Sequence, residues 1–341
     1  MIIALDAMGG DFAPGSTVEG AVFAAKESEH KVVLVGPERL ICKELLKHSK
    51  RYDLTSLNID IVEAPEIIAM DEHPVKAVRK KKKSSLCVCA QLVRDGKADA
   101  FVSLGNSGAA MAAALFYLKR IEGVLRPAIS TTFPTVNGSC IIADIGANVD
   151  CTPEYLLQFG IMSSLFCEKV VGIDRPRVGL VSIGEEPIKG NKVTLAAFEL
   201  FKKADINFIG NIEGRDIPRA KADVVICDGF AGNIILKFGE GLAEMMLKLV
   251  RKGLRQHPVA WASLPFLWSA IKDLRRKVDY SEFGGAPLLG VNGICIIGHG
   301  SSNGKAVKNA IFAGVKTVKH DLAIEIKKAI ARYSKESSGH G

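Results

Sequence analysis

The chain has 341 residues, of which 48% are hydrophobic and 24% charged, so it can bury a large core and is not an intrinsically disordered protein. Lys and Arg outnumber Asp and Glu by 45 to 37, and this net charge of +8 favours acidic partners: an anionic substrate, an acidic carrier protein or a membrane surface. Aromatic residues make up only 6% and are not interleaved with a basic stripe, which argues against nucleic acid as a partner.

The first predicted element is a strand in the opening residues Met-Ile-Ile-Ala-Leu-Asp. Because this segment has no basic region and carries an acid at position 6, it does not resemble a signal peptide, and a cytoplasmic location is expected. Residues 100–118 are uncharged and nearly long enough to span a bilayer, but Gly105-Asn106-Ser107-Gly108 interrupts them with turn residues. They predict a buried strand, a turn and a buried helix.

Short apolar runs without polar alternation recur along the chain and are typical of strands buried on both faces. They lie at 2–5, 32–35, 59–62, 100–104, 140–145, 178–183, 206–209, 223–227 and 294–297. Stretches of helical period separate most of them, at 17–28, 152–168, 193–203 and 305–319 among others. This alternation predicts an α/β fold with a mostly parallel sheet flanked by helices. A single domain is expected over 1–335, with 336–341 as a flexible tail.

Turns rich in Gly, Asn and Asp follow six of these strands: ALDAMGGD at 4–11, SLGNSGA at 103–109, ADIGAN at 143–148, SIGEEPIKGN at 182–191, DGFAGN at 228–233 and GHGSSN at 298–303. Glycine lets backbone N–H groups approach a ligand, and a helix that begins there favours an anion. We expect the six turns to share one sheet edge and to bind substrate or phosphate through Asp6, Gly9, Gly10, Asp11, Asn106, Ser107, Gly108, Asn148, Gly232 and His299.

Two cofactor classes are not expected. The string GHGSSNGK fits neither nucleotide-binding glycine pattern, and Ala306 stands where a magnesium-binding hydroxyl would be. The eight cysteines lie mostly in apolar runs, as buried thiols in a reducing compartment do, and the lone pair Cys87 and Cys89 lacks the spacing of a zinc site. We therefore predict neither a metal nor a cofactor.

Ser107 offers an alternative chemistry. A strand leads into GNSGA and a helix leads out, as in the nucleophile elbow of serine hydrolases, although Ala109 replaces the second glycine. A serine esterase or thioesterase would need a histidine base, and His299 is the only histidine in a strand-end turn.

Two groups of basic residues have two interpretations each. The run at 79–83, Arg-Lys-Lys-Lys-Lys, is either a solvated face or a docking surface for an acidic protein. Lys189 lies between Glu185-Glu186 and Gly190-Asn191 at a strand end, where it could stabilise an oxyanion or form a structural salt bridge to the glutamates.

Residues 255–280 interrupt the alternation with a predicted amphipathic helical hairpin that carries both tryptophans and basic flanks. Trp261, Leu264 and Trp268 could contact a membrane interface, or the apolar face could pack in a dimer or on the protein body. The basic flanks of the hairpin could also receive an acidic carrier protein. A non-catalytic membrane scaffold is a third functional hypothesis.

Taken together, ALDAMGGD, GNSGA, ADIGAN, NIEGRD, DGFAGN and SEFGGAPLLGVNG resemble the bacterial acyl-acyl carrier protein:phosphate acyltransferases of the PlsX family, over nearly the whole chain. The resemblance implies a fold similar to isocitrate and isopropylmalate dehydrogenases and to phosphotransacetylase. It also implies a homodimer, peripheral membrane association and a role upstream of a membrane-bound glycerol-3-phosphate acyltransferase.

The implied reaction transfers the acyl group of a fatty acyl-acyl carrier protein to inorganic phosphate, for phosphatidic acid and phospholipid synthesis. The implied catalytic residues are Lys189 and Asn233. Since Pro187 and Ile188 stand where the family more often has polar residues, Lys192 stays a second candidate. Phosphate is already anionic, so positioning and oxyanion stabilisation should supply most of the catalysis.

Overall fold

The computed structural model of the protein describes residues 1–256 and 284–338. Within them, strands form an 11-stranded sheet in the order β3-β2-β1-β4-β11-β10-β5-β6-β9-β7-β8. In chain order the strands are β1 Ile2–Asp6, β2 Lys31–Gly36, β3 Ile59–Glu63, β4 Ala100–Ser103, β5 Ala128–Thr135, β6 Gly138–Ala143, β7 Val178–Val181, β8 Phe208–Ile212, β9 Val224–Ile226, β10 Ala286–Leu289 and β11 Ile294–Ile297.

Helices connect most of the parallel strands, which is the arrangement that crossover connections require. They are α1 Gly15–Glu27, α2 Glu38–His48, α3 Pro74–Lys80, α4 Ser85–Arg94, α5 Ser107–Tyr117, α6 Pro153–Phe166, α7 Lys192–Lys203, α8 Gly229–Gln256, α9 Gly304–Val318 and α10 Leu322–Ser338. The α/β fold class is confirmed, and each predicted apolar run overlaps a strand. Strand 100–103 and helix 107–117 also confirm the interpretation of residues 100–118.

The sheet consists of two parallel parts of opposite direction. We call β3-β2-β1-β4-β11 the first half-sheet and β6-β9-β7-β8 the second half-sheet; β10 and β5 join them. β11 is antiparallel to β10, β10 to β5, and β5 to β6, so three reversals separate the two halves. The expectation that all six glycine-rich turns share one edge is therefore wrong: three belong to each half.

Each half-sheet has its own buried core. In the first, Phe101 of β4 packs with helices α4 and α5, and Ile3 and Leu5 of β1 pack against α1 and α9. In the second, Phe159 of α6 and Phe201 of α7 are buried against the strands. The two half-sheets thus have separately packed cores.

Asparagine side chains begin several of the helices. Asn106, Asn191 and Asn303 follow strand ends and accept hydrogen bonds from backbone N–H groups in the first turns of α5, α7 and α9. This is the capping role that short polar side chains fill at helix starts. The frequency of Asn in the turns is explained in part by helix capping.

The predicted hairpin at 255–280 and the predicted tail at 336–341 are only partly described. α8 runs to Gln256, and the predicted membrane-contact residues Trp261, Leu264 and Trp268 lie outside the described residues, as do residues 257–283 in general. α10 continues to Ser338, three residues into the predicted tail. None of the described helices combines the length and the apolar character needed to cross a membrane.

Candidate active site

A cavity of about 410 Å³ lies where the two half-sheets meet, and this volume is typical of small-molecule sites. Its walls are largely apolar, with side chains from β5, from the turn after β6 and from α8: Ile129, Phe133, Ile145, Val149, Phe230 and Leu236. Its polar lining comprises Ser107, Thr131, Thr132, Asn233, Lys237, Glu240 and His299. The cavity can therefore enclose an apolar group and present polar side chains to the end of it.

Four of the six predicted turns contribute to this cavity. The first half-sheet supplies Ser107 after β4 and Gly298 and His299 after β11, whereas the second supplies Gly146 after β6 and Gly229 with Asn233 after β9. The turns after β1 and β7 are absent from its described lining. Of the residues predicted from the turns or from the resemblance, the structure thus brings Ser107, Asn233 and His299 together.

Asp144 organises the second-half side of the cavity although it does not line it. Its carboxylate is fully buried and accepts hydrogen bonds from the backbone N–H groups of Ile129, Ala147 and Asn148, at 3.0, 3.1 and 2.6 Å. Burial raises the pKa of this carboxyl, and the bonds from Asn148 and the backbone partly oppose the rise. The turn after β6 is therefore fixed by a buried acid.

This turn also fixes the start of α8. The backbone N–H of Gly229 donates to the carbonyl of Asn148 at 2.8 Å, and the Asn148 amide donates to Asp144 and to the carbonyl of Pro127. A methyl group on Gly232 would overlap the carbonyl oxygen of Asp144. Asn148 and Gly232, predicted as phosphate ligands, thus have structural roles that place Asn233 at the cavity.

The turn after β1 is built in a similar way but contributes no residue to the described cavity lining. Asp6 is 3% exposed and accepts hydrogen bonds from the Ser103 hydroxyl at 2.8 Å and from the Met8 N–H at 3.3 Å. Burial raises the pKa of Asp6. Gly9 lies against Gly105, and Gly10 adopts φ +111°, with the Asp11 N–H donating to the carbonyl of Gly300. The residues of this turn that were predicted to bind substrate or phosphate pack against the turns after β4 and β11.

Asn106 and Gly108 hold the segment that precedes α3. The Asn106 amide donates to the carbonyls of Met70 and Glu72, and a side chain at Gly108 would collide with Pro74. Both residues therefore join the start of α5 to the loop before α3, while Ser107 between them faces the cavity.

The two candidate lysines at the end of β7 are exposed and lie outside the described cavity lining. The Lys189 carbonyl accepts a hydrogen bond from Ser182 at 2.9 Å, and Lys192 is the first residue of α7. Glu185 pairs with Lys221 at 2.7 Å, and no ion pair of the described residues joins Lys189 to Glu185 or Glu186. The salt-bridge interpretation of Lys189 is thus not supported.

Lys237 and Glu240 are cavity residues that the sequence interpretation missed. They follow Asn233 by four and seven positions, so all three lie on one face of α8. The Lys237 ammonium lies 2.9 Å from Glu240 Oε2 and 2.9 Å from His299 Nε2. Helical spacing from Asn233 is the sequence signal that marks both residues, because positions four and seven further along a helix lie on the same face.

The hydrolase alternative finds weak support in this geometry. Ser107 and His299 line the same cavity, but no hydrogen bond joins them in the described part of the chain. Instead, His299 Nδ1 lies 2.7 Å from the Ser301 hydroxyl, and Nε2 faces Lys237. His299 is therefore held in another orientation than the one in which it would activate Ser107.

Cysteines beside the site are poor nucleophiles. Cys151 and Cys227 contact the carbonyls of Asn148 and Asp144. Burial raises the pKa of Cys151 to about 12 and that of Cys227 well above its ordinary range. Since the thiolate is the reactive form, both thiols are inert near neutral pH.

The fold is that of the phosphotransacetylases. A EutD phosphotransacetylase from Staphylococcus aureus matches with a TM-score of 0.59 and 17% identity over 93% of this chain and 94% of that one. A 4-hydroxythreonine-4-phosphate dehydrogenase from Klebsiella pneumoniae matches with a TM-score of 0.54 and 12% identity, over 93% and 98%. At these identities the comparison establishes the class of fold alone, an α/β fold with a mostly parallel sheet flanked by helices.

Relatives of higher identity establish the family. A phosphate acyltransferase from Endomicrobium trichonymphae is 77% identical over 334 residues, which cover 98% of this chain and 99% of that protein. One from Pelotomaculum thermopropionicum is 50% identical over 339 residues, covering 99% and 98%. The family model described as fatty acid synthesis protein matches residues 1–325. The chain belongs to this phosphate acyltransferase family, which confirms the resemblance and makes the protein an acyltransferase of lipid synthesis.

Proposed function

We propose that this protein transfers the acyl group of a fatty acyl-acyl carrier protein to inorganic phosphate and so supplies acyl phosphate for phosphatidic acid synthesis. The observation that carries the proposal is the cavity, which has apolar walls and a polar group of Asn233, Lys237 and His299. An acyl chain is apolar, and the thioester at its end needs polar groups around it. Family membership supplies the reaction type.

The proposed chemistry needs no covalent enzyme intermediate. A phosphate oxygen attacks the thioester carbonyl carbon, and the carbonyl oxygen becomes an oxyanion. When the carbonyl re-forms, the C–S bond breaks and the carrier leaves as a thiolate that takes a proton from solvent. Asn233 is proposed to donate a hydrogen bond to the oxyanion, since a positioned amide stabilises charge that develops in the transition state.

The test of this function is an assay with palmitoyl-carrier, with and without inorganic phosphate. We expect consumption of the thioester to depend strictly on phosphate and to yield acyl phosphate. Phosphate-independent release of fatty acid with covalent labelling of Ser107 would favour the hydrolase, and lipid binding without turnover would favour the scaffold.

Lys189 remains a proposed catalytic residue, with Lys192 as its competitor. Removal of an oxyanion donor typically costs about a hundredfold or more in turnover, so Lys189→Ala and Asn233→Ala should each reach that loss. Lys192→Ala is the matched control, because Lys192 is likewise exposed and begins the helix that follows this turn. If the Lys189 variant has near-normal turnover and the Lys192 variant is defective, the catalytic role belongs to Lys192.

The basic run at 79–83 is the proposed docking surface for the acidic carrier. Lys81 is occupied by Glu72 at 2.6 Å, but the other four cations are exposed. α3, whose seven residues span about 10 Å, starts with Pro74 against Gly108 and ends in this run. Charge reversal at Arg79 and Lys80 should raise the KM for the carrier and leave the phosphate KM unchanged, with reversal of Lys328 on α10 as the control.

The homodimer and the membrane contact are further parts of the proposal. α8 exposes an apolar stripe in which Phe230 is 61%, Ile234 49% and Phe238 70% exposed, and the stripe continues through Leu242, Met246 and Leu249. A contiguous exposed apolar face is typical of an interaction surface. Because Phe238→Asp places a charge in the stripe, it should yield monomers in sedimentation experiments if the stripe is the dimer interface.

The hairpin 255–280 is the proposed membrane contact, consistent with a cytoplasmic, peripherally bound enzyme that delivers acyl phosphate to a membrane-bound glycerol-3-phosphate acyltransferase. A double substitution of Trp261 and Trp268 by Ser should abolish flotation with anionic liposomes. Unchanged flotation together with dissociation into monomers would assign the hairpin to the dimer.

A further inference from the structure

Lys237 of α8 and His299 after β11 form a contact across the cavity, between the second and the first half-sheet. The Lys237 ammonium lies 2.9 Å from His299 Nε2, and the Ser301 hydroxyl and backbone N–H lie 2.7 and 3.2 Å from Nδ1. Both ring nitrogens of His299 are therefore held in place at the polar part of the cavity.

This contact does little for the stability of the fold. Lys237 is 45% exposed, and its ion pair with Glu240 at 2.9 Å is of the exposed kind that contributes about 0–1 kcal/mol. Two side chains that can both carry positive charge gain little from facing each other. An anion bound beside the two nitrogens would gain from both, because each can donate a charge-assisted hydrogen bond to it.

The backbone around the contact favours the same sign of ligand. α5 begins at Ser107 and α8 at Gly229, and both residues line the cavity. The first N–H groups of a helix carry a partial positive charge. Several of them already have partners here, since Gly229 donates to the Asn148 carbonyl and Ala109 to the Asn106 side chain, so the helix starts contribute a favourable field and not free donors. Among the described residues that line the cavity, Lys237 is the one Lys or Arg, and Glu240 is the one acid.

We propose that Lys237 and His299 form an anion subsite that binds inorganic phosphate at the polar part of the apolar cavity. The proposal rests on the proposed function and names where its second substrate binds. Ser301 orients the imidazole, and the phosphate takes the place of the Glu240 carboxylate beside Lys237. The same pair would afterwards face the phosphate group of the acyl phosphate.

The test is calorimetric titration of the full-length protein with inorganic phosphate, which requires no turnover. Lys237→Met should weaken phosphate binding by about tenfold or more, and Lys237→Arg should retain most of it, since a charge-assisted bond to phosphate is lost in one and kept in the other. Lys248→Met is the matched control, because Lys248 lies on the same helix and pairs with Glu244 at 2.6 Å, outside the cavity lining.

Glu240→Gln tests the displacement of the carboxylate. Without a competing negative charge, phosphate should bind about twofold to fivefold more tightly, the range of an exposed ion pair. Unchanged or weaker binding by this variant would contradict the exchange, and wild-type phosphate affinity in a folded Lys237→Met variant would overturn the subsite.

Kinetic measurements show whether the subsite binds inorganic phosphate or the phosphate of the carrier's prosthetic group. Lys237→Met should raise the KM for phosphate by about tenfold or more and leave the carrier KM nearly unchanged. An increase in the carrier KM alone would overturn the assignment in favour of the carrier's phosphate. Titration measures phosphate binding even if the protein transfers no acyl group. If phosphate binding depends on Lys237 but the protein does not transfer acyl groups to phosphate, the proposed function is refuted and the subsite is retained.

Discussion

Each half-sheet has a buried acid in a turn at the end of a strand, but only the turn in the second half-sheet lines the cavity. Asp6 at the end of β1 and Asp144 after β6 are both buried acids that accept backbone N–H groups of a glycine-containing turn. The Asp6 turn packs against the turns after β4 and β11, whereas the Asp144 turn lines the cavity and holds the start of α8. A buried acid in a strand-end turn therefore does not by itself mark a ligand site.

The largest expected effect comes from Gly232, where α8 passes close to the Asp144 carbonyl. A methyl group there would overlap that backbone oxygen, so Gly232→Ala should displace the first turn of α8 together with Asn233. A displacement of about 1 Å can cost a hundredfold in rate, and we expect a loss of that order in turnover.

Gly9→Ala is the corresponding change in the first half-sheet. Its methyl group would lie 2.6 Å from Asp6 Oδ2, a side-chain atom, and 2.9 Å from the Gly105 nitrogen. We expect a loss of stability with most of the turnover retained in the folded fraction. Equal losses of turnover in the two variants would break the distinction between the turns.

Asp144→Asn should cost about 2–4 kcal/mol of the free energy of unfolding, because its amide nitrogen would face one or more of the backbone N–H groups that the carboxylate now accepts. Asp6→Asn should cost less, about 1–3 kcal/mol, since the Ser103 hydroxyl can turn to accept instead of donate. Urea denaturation measures both losses.

The two losses should also depend on pH. Folding raises the pKa of both carboxyls, so their contribution to stability is fully present below the unfolded pKa of about 3.9 and is lost as the pH rises through the folded pKa. The cost of each Asn variant should therefore be smaller at pH 7 than in weak acid. A cost that grows with pH would show that the buried acids are stabilised in their charged form.

Local patterns predicted most of the fold. Apolar runs found nine of the eleven strands because most of these strands are buried on both faces, and the edge strands β3 and β8 still carry apolar residues although they are only partly buried. β5 contains Thr131, Thr132 and Pro134, and β10 contains Pro287, so neither has a continuous apolar run. These two strands reverse the direction of the sheet, and without them the six turns could not be divided correctly between two half-sheets.

The site was predictable to a smaller extent. Ser107, Asn233 and His299 were found because they lie in strand-end turns, but Asn106 and Asn148 are explained by hydrogen bonds to backbone that only the tertiary structure reveals. Lys237 contacts a residue 62 positions away in the sequence. A contact of that range depends on how the half-sheets meet, and no local pattern encodes it.

The smallest expected effect is that of Gly241→Ala, which replaces a glycine on α8 that the site does not need. Gly241 lies on α8, and a methyl group there would meet no atom of residues 1–256 and 284–338 within 4 Å. Because alanine loses less conformational freedom than glycine in a helix interior, Gly241→Ala should raise the free energy of unfolding by about 0.5–1 kcal/mol. Thermal and urea unfolding would measure this gain, and turnover should be unchanged. Loss of turnover in a stabilised Gly241→Ala variant would mean that α8 must bend or unwind there, and the defect of Gly232→Ala could then no longer be attributed to the carbonyl of Asp144.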